Sequence, residues 1–276
     1  MAAHRCAVLG SPIAHSLSPV LHRAAYDALG LADWSYDAHR VEADELADFV
    51  AGLGPEWVGL SLTMPLKEAV LELAQPTPVA TLVGAGNTLV LDHRTGRHRV
   101  DNTDVSGMTA ALAAAGTDDV GSALLVGAGA TARSALAALA PFGTRRVTVM
   151  ARSADRAHAS LDPVAERLCV ELSVVGWGQV PADRHDVTIA TVPAELAPQL
   201  AAGVAAVSPV LFDVTYDPWP TALAGAALAA RVTVLDGLDL LAHQAVDQVR
   251  LFTGREVQAS VLLSAARSVV AARRDR

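Results

Sequence analysis

Apolar residues along the chain fall in short unbroken runs, each followed by a stretch where they recur at helical spacing. The run CAVLG leads into SPVLHRAAYDALG, an amphipathic helix with Ser18 as N-cap and Pro19 at its first position. WSYDAHRV leads into EADELADFVAGLG, and WVGLSLTM into PLKEAVLELA. NTLVLD and RHRV read as a strand pair around a turn at His93 to Gly96. After DVSGMTAALAAAG a second series begins: SALLVGAG precedes ATARSALAALAPFG, and RRVTVMAR precedes SADRAHASL. LSVVGW, DVTIATV, VLFDVTY and VTVLDG are further strands, and two helical stretches close the chain, roughly 238–252 and 257–272. Strands alternating with helices predict an α/β protein with mostly parallel sheets. The second set ends near Gly237, so two domains are expected, with the terminal helices able to join either half.

Composition narrows the functional classes. The chain has 276 residues, 52% of them hydrophobic, and a formal net charge of −8. Such a chain can bury a large core, and its acidity argues against nucleic acid as a partner. The longest uncharged stretches, Leu73 to Leu91 and Leu196 to Phe212, are broken by proline and amide residues, so no membrane span is expected. Cys6 and Cys169 lie far apart in apolar runs and read as small core residues in a reducing cytoplasm. The nine histidines are scattered without metal-ligand spacing. One feature of composition is local: Lys67 is the only lysine among 21 basic side chains.

In LLVGAGATARSALAAL, the series Gly127-Ala128-Gly129-Ala130-Thr131-Ala132 fits the G-x-G-x-x-G/A turn between a buried strand and a helix. Gly127 permits the turn, Gly129 admits a pyrophosphate, and the helix start supplies free N–H groups. The next strand ends Ala151-Arg152-Ser153 with Arg156 beyond, and no carboxylate stands there to take a ribose hydroxyl. Two guanidiniums in that place suit a 2′-phosphate, which favours NADP(H) over NAD.

The first half carries polar residues where an α/β sheet receives ligands. These are Ser16 and Ser18 after the first strand, Ser61, Thr63 and Lys67 around the third, then Asn87, Thr103 and Asp104. Each has an ordinary reading, Ser18 and Asp104 as N-caps and Asn87 as a turn residue. Together they suit a small polyhydroxylated acid.

The blocks GSPIAHSLSP, SLTMPLKE, LVGAGNT, DNTD, GAGATAR, ARSADR, ATVP and GLDLLAHQA occur in an order and spacing that resembles the shikimate dehydrogenase family over nearly the whole chain. The resemblance implies a substrate domain formed by 1–104 with 239–276, and a Rossmann-type NADP domain over 105–238. It implies reversible NADPH-linked reduction of 3-dehydroshikimate to shikimate in aromatic amino acid biosynthesis, by a cytoplasmic monomer or homodimer. Carried over by motif, Ser16, Ser18 and Tyr216 would hold the substrate carboxylate. Thr63, Asn87, Thr103, Asp104 and Gln244 would bond the ring hydroxyls, and Lys67 would be catalytic, paired with Asp104. Gly127 to Thr131, Ala151 to Ser153, Arg156, Thr191, Val192, Pro193, Val214 and Gly237 would line the NADP site.

Three departures stand out. Ser61 occupies a place where the family commonly has asparagine, so a ring-hydroxyl contact there is expected to be shorter or water-mediated. Ala130 and Ala132 replace small residues of the usual loop, and Val105 follows N-T-D where glycine is more usual. Three other readings stay open on sequence alone: a quinate/shikimate dehydrogenase of the same superfamily, a non-catalytic relative that senses a metabolite, and, on the coenzyme half alone, a dehydrogenase for a different small hydroxy acid.

Overall fold

The computed structural model describes residues 3–274. Its elements begin with β1 (His4–Gly10), α1 (Ser18–Ala28), β2 (Trp34–Arg40), α2 (Leu46–Ala51), β3 (Trp57–Leu62), α3 (Leu66–Ala69), β4 (Gln75–Pro76), α4 (Pro78–Val83), β5 (Thr88–Val90), β6 (Arg99–Asp101) and α5 (Thr103–Ala114). There follow β7 (Ser122–Val126), α6 (Ala130–Ala138), β8 (Arg146–Ala151), α7 (Ala154–Leu168), β9 (Glu171–Gly176), β10 (Val187–Ala190), α8 (Ala201–Val207), β11 (Val210–Asp213), α9 (Ala222–Ala229), β12 (Thr233–Leu235), α10 (Gly237–Thr253) and α11 (Ala259–Arg274). The chain forms two compact units, one of residues up to Gly107 with those from Leu241 onward, the other from Met108 to Leu240. It passes between them inside α5 and α10.

The first unit holds a sheet in the order β2-β1-β3-β5-β6-β4. β1 pairs parallel with β2 and β3, whereas β5 runs antiparallel to both β3 and β6. The strand period of two sets its two cores. Ala7 and Leu9 of β1 join Leu60, Leu62, Leu66 and Leu89 on one face, while Cys6 and Val8 join Tyr26, Tyr36 and Phe252 on the other. Each leucine buried in this way contributes about 1.5–3 kcal/mol. On β3 the same alternation sends Leu60 and Leu62 into the first core and turns Gly59 and Ser61 toward α10. A Cβ on Gly59 would sit 2.2 Å from the Phe252 ring, so the glycine makes room for that helix.

The second unit is an all-parallel sheet ordered β12-β11-β10-β7-β8-β9. Counted within the unit this is the 3-2-1-4-5-6 order of dinucleotide-binding folds, with its switch point between β7 and β10. All five residues of β7 are buried, as a strand covered on both faces requires.

Four local expectations are corrected. Helix α1 starts one residue early: Ser18 is already helical, Leu17 is the N-cap, and Ser16 Oγ accepts the Ser18 N–H at 3.3 Å. Asp104 lies inside α5, and Asn102 takes the capping role, its Oδ1 accepting N–H bonds from Asp104 at 3.1 Å and Val105 at 3.3 Å. The helix of PLKEAVLELA is short, because the Lys67 carbonyl accepts from Gly86 N–H at 2.7 Å and the chain tightens to a 3-10 turn at Val70–Glu72. Finally, Cys169 is exposed at the left-handed C-cap of α7, with φ of 56°. Cys6 does sit in the core, and burial pushes its thiol up to about 12.

Candidate active site

In the first unit the sheet order reverses between β1 and β3, whose carboxyl ends are Gly10 and Leu62. Thr63 follows at once. A Cβ on Gly10 would lie 2.4 Å from Thr63 Cγ2 and 2.9 Å from the Met64 carbonyl, so glycine lets the two strand ends meet. Because β5 is antiparallel, its start comes to the same edge. Leu62 N–H donates to the Asn87 carbonyl at 2.8 Å, and Asn87 N–H to the Asp101 carbonyl at 3.0 Å. Thr103 and Asp104 open α5 just beyond β6, and Gln244 reaches in from α10. A Cβ on Gly107 would come within 2.8 Å of Gln244 N, which shows how closely α5 and α10 approach here.

The side chains at this edge form one bonded group. Lys67 Nζ donates to Asp104 Oδ2 at 2.6 Å, with the two side chains only 16% and 7% exposed. Asn87 Nδ2 donates to Asp104 Oδ1 at 2.8 Å and to Gln244 Oε1 at 3.3 Å. Asn87 Oδ1 accepts from Thr103 N–H at 2.8 Å, which fixes the amide the right way round. The Thr103 hydroxyl faces both Asn87 Oδ1, at 3.1 Å, and Gln244 Oε1, at 3.2 Å. Among the described residues the ammonium donates to Asp104, and an ammonium carries three N–H groups that can donate. A shielded ammonium held by a carboxylate can meet a developing oxyanion and pass it a proton.

Other expected residues are placed less tightly. Ser16 is half-buried, Ser18 is buried at the start of α1, and Thr63 is half-buried at the strand end. Ser61 is turned inward, where its hydroxyl accepts from Tyr36 and donates to Gln248. Tyr216 belongs to the second unit, half-buried in the loop after β11. The base of that loop is fixed by Asp213, whose carboxylate accepts from Thr221 Oγ1 at 2.6 Å and Thr215 N–H at 3.1 Å. Burial raises the Asp213 carboxyl above the usual carboxylate range.

In the second unit Gly127 and Thr191 follow the two strands at the switch point. Gly127 has φ of 109°, and a Cβ there would lie 2.6 Å from Thr191 Oγ1 and 2.9 Å from Val192 Cγ1. Thr191 Oγ1 donates to the Val126 carbonyl at 3.1 Å, tying the ends of β10 and β7 together. Gly129 is the N-cap of α6, and nothing lies within 4 Å of a Cβ built on it, so its approach is open. Ala128, Ala130 and Thr131 complete the turn. Beyond Ala151 at the end of β8, Arg152 and Arg156 are exposed, and Ser153 caps α7 by accepting the Arg156 N–H at 3.3 Å. Val214 and Gly237 lie back to back: a Cβ on Gly237 would be 2.2 Å from the Val214 carbonyl oxygen. Pro193, which follows Val192, is exposed. An open glycine cradle on a helix start, with two guanidiniums past the next strand, fits a dinucleotide carrying a 2′-phosphate.

Three supporting residues escape the sequence reading. Asn102, as the true cap, frees the Asp104 carboxylate for Lys67. Tyr36 and Gln248 hold Ser61 from behind. Gln248 had a legible signal, a second amide one turn beyond Gln244 on an otherwise apolar helix face. Among the described residues, no cluster of three His, Cys, Asp or Glu could hold a metal, and no helix is long and apolar enough to cross a membrane.

The two sheets, the glycine turn and the part-buried ammonium–carboxylate pair define a two-unit nucleotide-dependent oxidoreductase. The family described as the shikimate dehydrogenase substrate binding domain matches residues 8–89, and the shikimate dehydrogenase (NADP(+)) of Methanothermobacter thermautotrophicus is 33% identical over 97% of this chain and 97% of its own. The chain belongs to the shikimate dehydrogenase family. The structure of Mycobacterium tuberculosis shikimate dehydrogenase matches with a TM-score of 0.88 and 43% identity, covering 96% of this chain and 99% of that one. Shikimate 5-dehydrogenase from Thermus thermophilus, solved in complex with NADP(H) and shikimate, matches with a TM-score of 0.81 and 31% identity, covering 96% and 99%.

Proposed function

We propose that the protein is an NADP-dependent shikimate dehydrogenase, reducing 3-dehydroshikimate reversibly to shikimate on the route to chorismate and the aromatic amino acids. The observation that carries this reading is the shielded 2.6 Å contact between the chain's only lysine and Asp104. NADPH, when bound, supplies the hydride. Reduction of the ketone leaves negative charge on its oxygen, and Lys67 meets that charge with its ammonium and gives up a proton from Nζ. In the oxidative direction the amine takes the proton back from the substrate hydroxyl. Asp104, itself held by Asn87, accepts from Nζ at 2.6 Å and fixes the direction of the ammonium. Arginine could supply the charge but not the proton, its pKa being above ~12.

Ser16, Ser18 and Tyr216 take the substrate carboxylate, and Thr63, Asn87, Thr103 and Gln244 orient the ring hydroxyls. Gly127 to Thr131 cradle the diphosphate, and Arg152 and Arg156 bind the 2′-phosphate, with Ala151 at the end of β8 before them and Ser153 between the two. Thr191 to Pro193, Val214 and Gly237 line the rest of the coenzyme site. The same reading places a monomer or homodimer in the cytoplasm.

The test is to follow reduced-coenzyme formation with shikimate and with quinate, each against NADP and NAD. Shikimate with NADP is expected to give by far the highest kcat/KM. Comparable rates with quinate would shift the assignment to a quinate/shikimate dehydrogenase, and no turnover with any pair would indicate a metabolite-binding relative without catalysis.

A further inference from the structure

The polar group around Lys67 does not end at Asn87. Behind it, on the face of β3 turned toward α10, a second file of hydrogen bonds continues into the core. Thr88 Oγ1 donates to Asn87 Oδ1 at 2.8 Å and accepts from Gln248 Nε2 at 3.0 Å. Gln248 Nε2 also faces the Asn87 carbonyl at 3.3 Å, an acceptor only, so the orientation of this amide is settled by its surroundings. Its Oε1 then accepts from Ser61 Oγ at 2.8 Å, and Ser61 Oγ accepts from Tyr36 Oη at 2.5 Å. Tyr36 is itself clamped flat on His22, with ring centroids 3.9 Å apart and planes 16° from parallel. Tyr36, Thr88 and Gln248 are at most 1% exposed.

We infer that Tyr36, Ser61, Gln248 and Thr88 are positioning residues that hold Asn87, and through it Asp104 and Lys67, in the geometry the reaction needs. The inference rests on the role proposed above for the Lys67–Asp104 pair. It gives Ser61 a different part from the ring-hydroxyl contact expected of that position. The serine does not reach outward to a ligand; it is short enough to let the Gln248 carboxamide in behind Asn87. Nor is the file a proton path. Two amides interrupt it, and an amide passes on orientation, not protons. A fully satisfied buried network of this kind specifies one arrangement, and loss of a member leaves its neighbours unpaired.

Two variants test the idea. Gln248→Met keeps length and approximate volume but removes both ends of the bridge, whereas Tyr36→Phe removes one hydroxyl and keeps the stack on His22. The first readout is steady-state kinetics with shikimate and NADP. Gln248→Met should lower kcat about tenfold, or 1.4 kcal/mol, with an unchanged KM for NADP, and Tyr36→Phe should lower it about threefold. Combined, the two should cost less than the product of the single effects, because both act through Ser61.

The second readout does not need turnover. Since the chain contains one lysine, protein grown on 13C-lysine gives a single Cε resonance, reporting on Lys67 alone. That resonance should move in both variants and stay in place in an exposed control such as Arg94→Gln. Wild-type kcat in Gln248→Met with an unmoved lysine signal overturns the inference, as does a change confined to melting temperature. If Gln248→Met does not fold, Tyr36→Phe decides by the same two criteria. Wild-type protein inactive on shikimate would defeat the functional reading, and the lysine resonance would still decide for or against the positioning role.

Discussion

The two units solve the problem of holding a ligand by opposite means. In the first, the work falls to side chains: Lys67, Asn87, the neighbours Thr103 and Asp104, and Gln244 come from four places in the sequence and satisfy one another. In the second, the shape is made by backbone and by the space that missing side chains leave, at Gly127, Gly129 and Gly237. A side-chain site depends on the identity of each atom, because a buried donor left alone costs about 1–3 kcal/mol. A backbone site tolerates exchanges such as Ala130 and Ala132 provided that nothing larger fills the cradle. On the mechanism proposed above, the difference accounts for the composition at Lys67: arginine fills the other 20 basic positions, and none of those would have to hand a proton to a bound oxygen.

The comparison breaks most visibly at Lys67. Lys67→Ala should lose about a thousandfold in kcat, some 4 kcal/mol of barrier, while fluorescence titration still shows NADPH bound as in the wild type. Lys67→Arg sharpens the point, since it keeps the charge beside Asp104 and should remain nearly as inactive. Near-normal turnover in Lys67→Arg would mean that charge alone suffices and proton transfer lies elsewhere.

A second effect, on stability, belongs to the same side-chain-built unit. His22 is fully buried, its Nδ1 bonded to the Ser18 carbonyl at 3.0 Å, and burial lowers its pKa to about 4. The folded value lies below the unfolded one near 6.5, so the neutral ring's contribution is complete above pH 6.5 and is lost as pH falls toward 4. The loss amounts to about 3 kcal/mol. His22→Phe keeps the stack on Tyr36 and should flatten the decline in urea stability between those pH values. An equally steep decline in the variant would assign acid sensitivity to other groups.

How far the sequence foretold this depends on how local each feature is. The βα alternation, the glycine turn and the residues past β8 are written in neighbouring positions, and the structure places strand, turn and helix there. The division of labour around Asp104 was not legible in the same way. Its place in N-T-D fits a helix cap, and only the contacts show Asn102 taking the backbone N–H groups and releasing the carboxylate. Ser61 illustrates a harder limit. Its hydroxyl bonds to Tyr36 and Gln248, 25 and 187 residues away, a pairing that no spacing rule encodes. Cys169 failed for a simpler reason: the apolar run around it ends a helix, and the cap residue turns outward.

On the backbone side, Gly127→Ala should disturb coenzyme binding without touching the lysine site. The new methyl group would meet Thr191 and Val192 in a backbone conformation that L-residues rarely adopt. Such strain costs of order 2 kcal/mol, so the KM for NADP should rise roughly thirtyfold. The KM for shikimate at saturating NADP should change little. Equal increases in both would show that the turn supports the whole fold and not the coenzyme alone.

The smallest and most selective change is at Arg152. It is exposed and carries no backbone duty, since Ser153 caps α7 and Ala151 closes β8. Arg152→Ala therefore leaves the frame intact and removes one guanidinium from the proposed 2′-phosphate site. A charge-assisted bond of this kind, partly screened by solvent, is worth about 1.4 kcal/mol, which predicts a tenfold higher KM for NADP. The KM for NAD, which lacks the phosphate, should stay within twofold of wild type. Raising the salt concentration should weaken NADP binding more in the wild type than in the variant, because only the wild type has the full charge to screen. If both coenzymes respond alike, phosphate recognition falls to Arg156 or to another group. The second unit's selectivity would then come from its shape and not from this side chain.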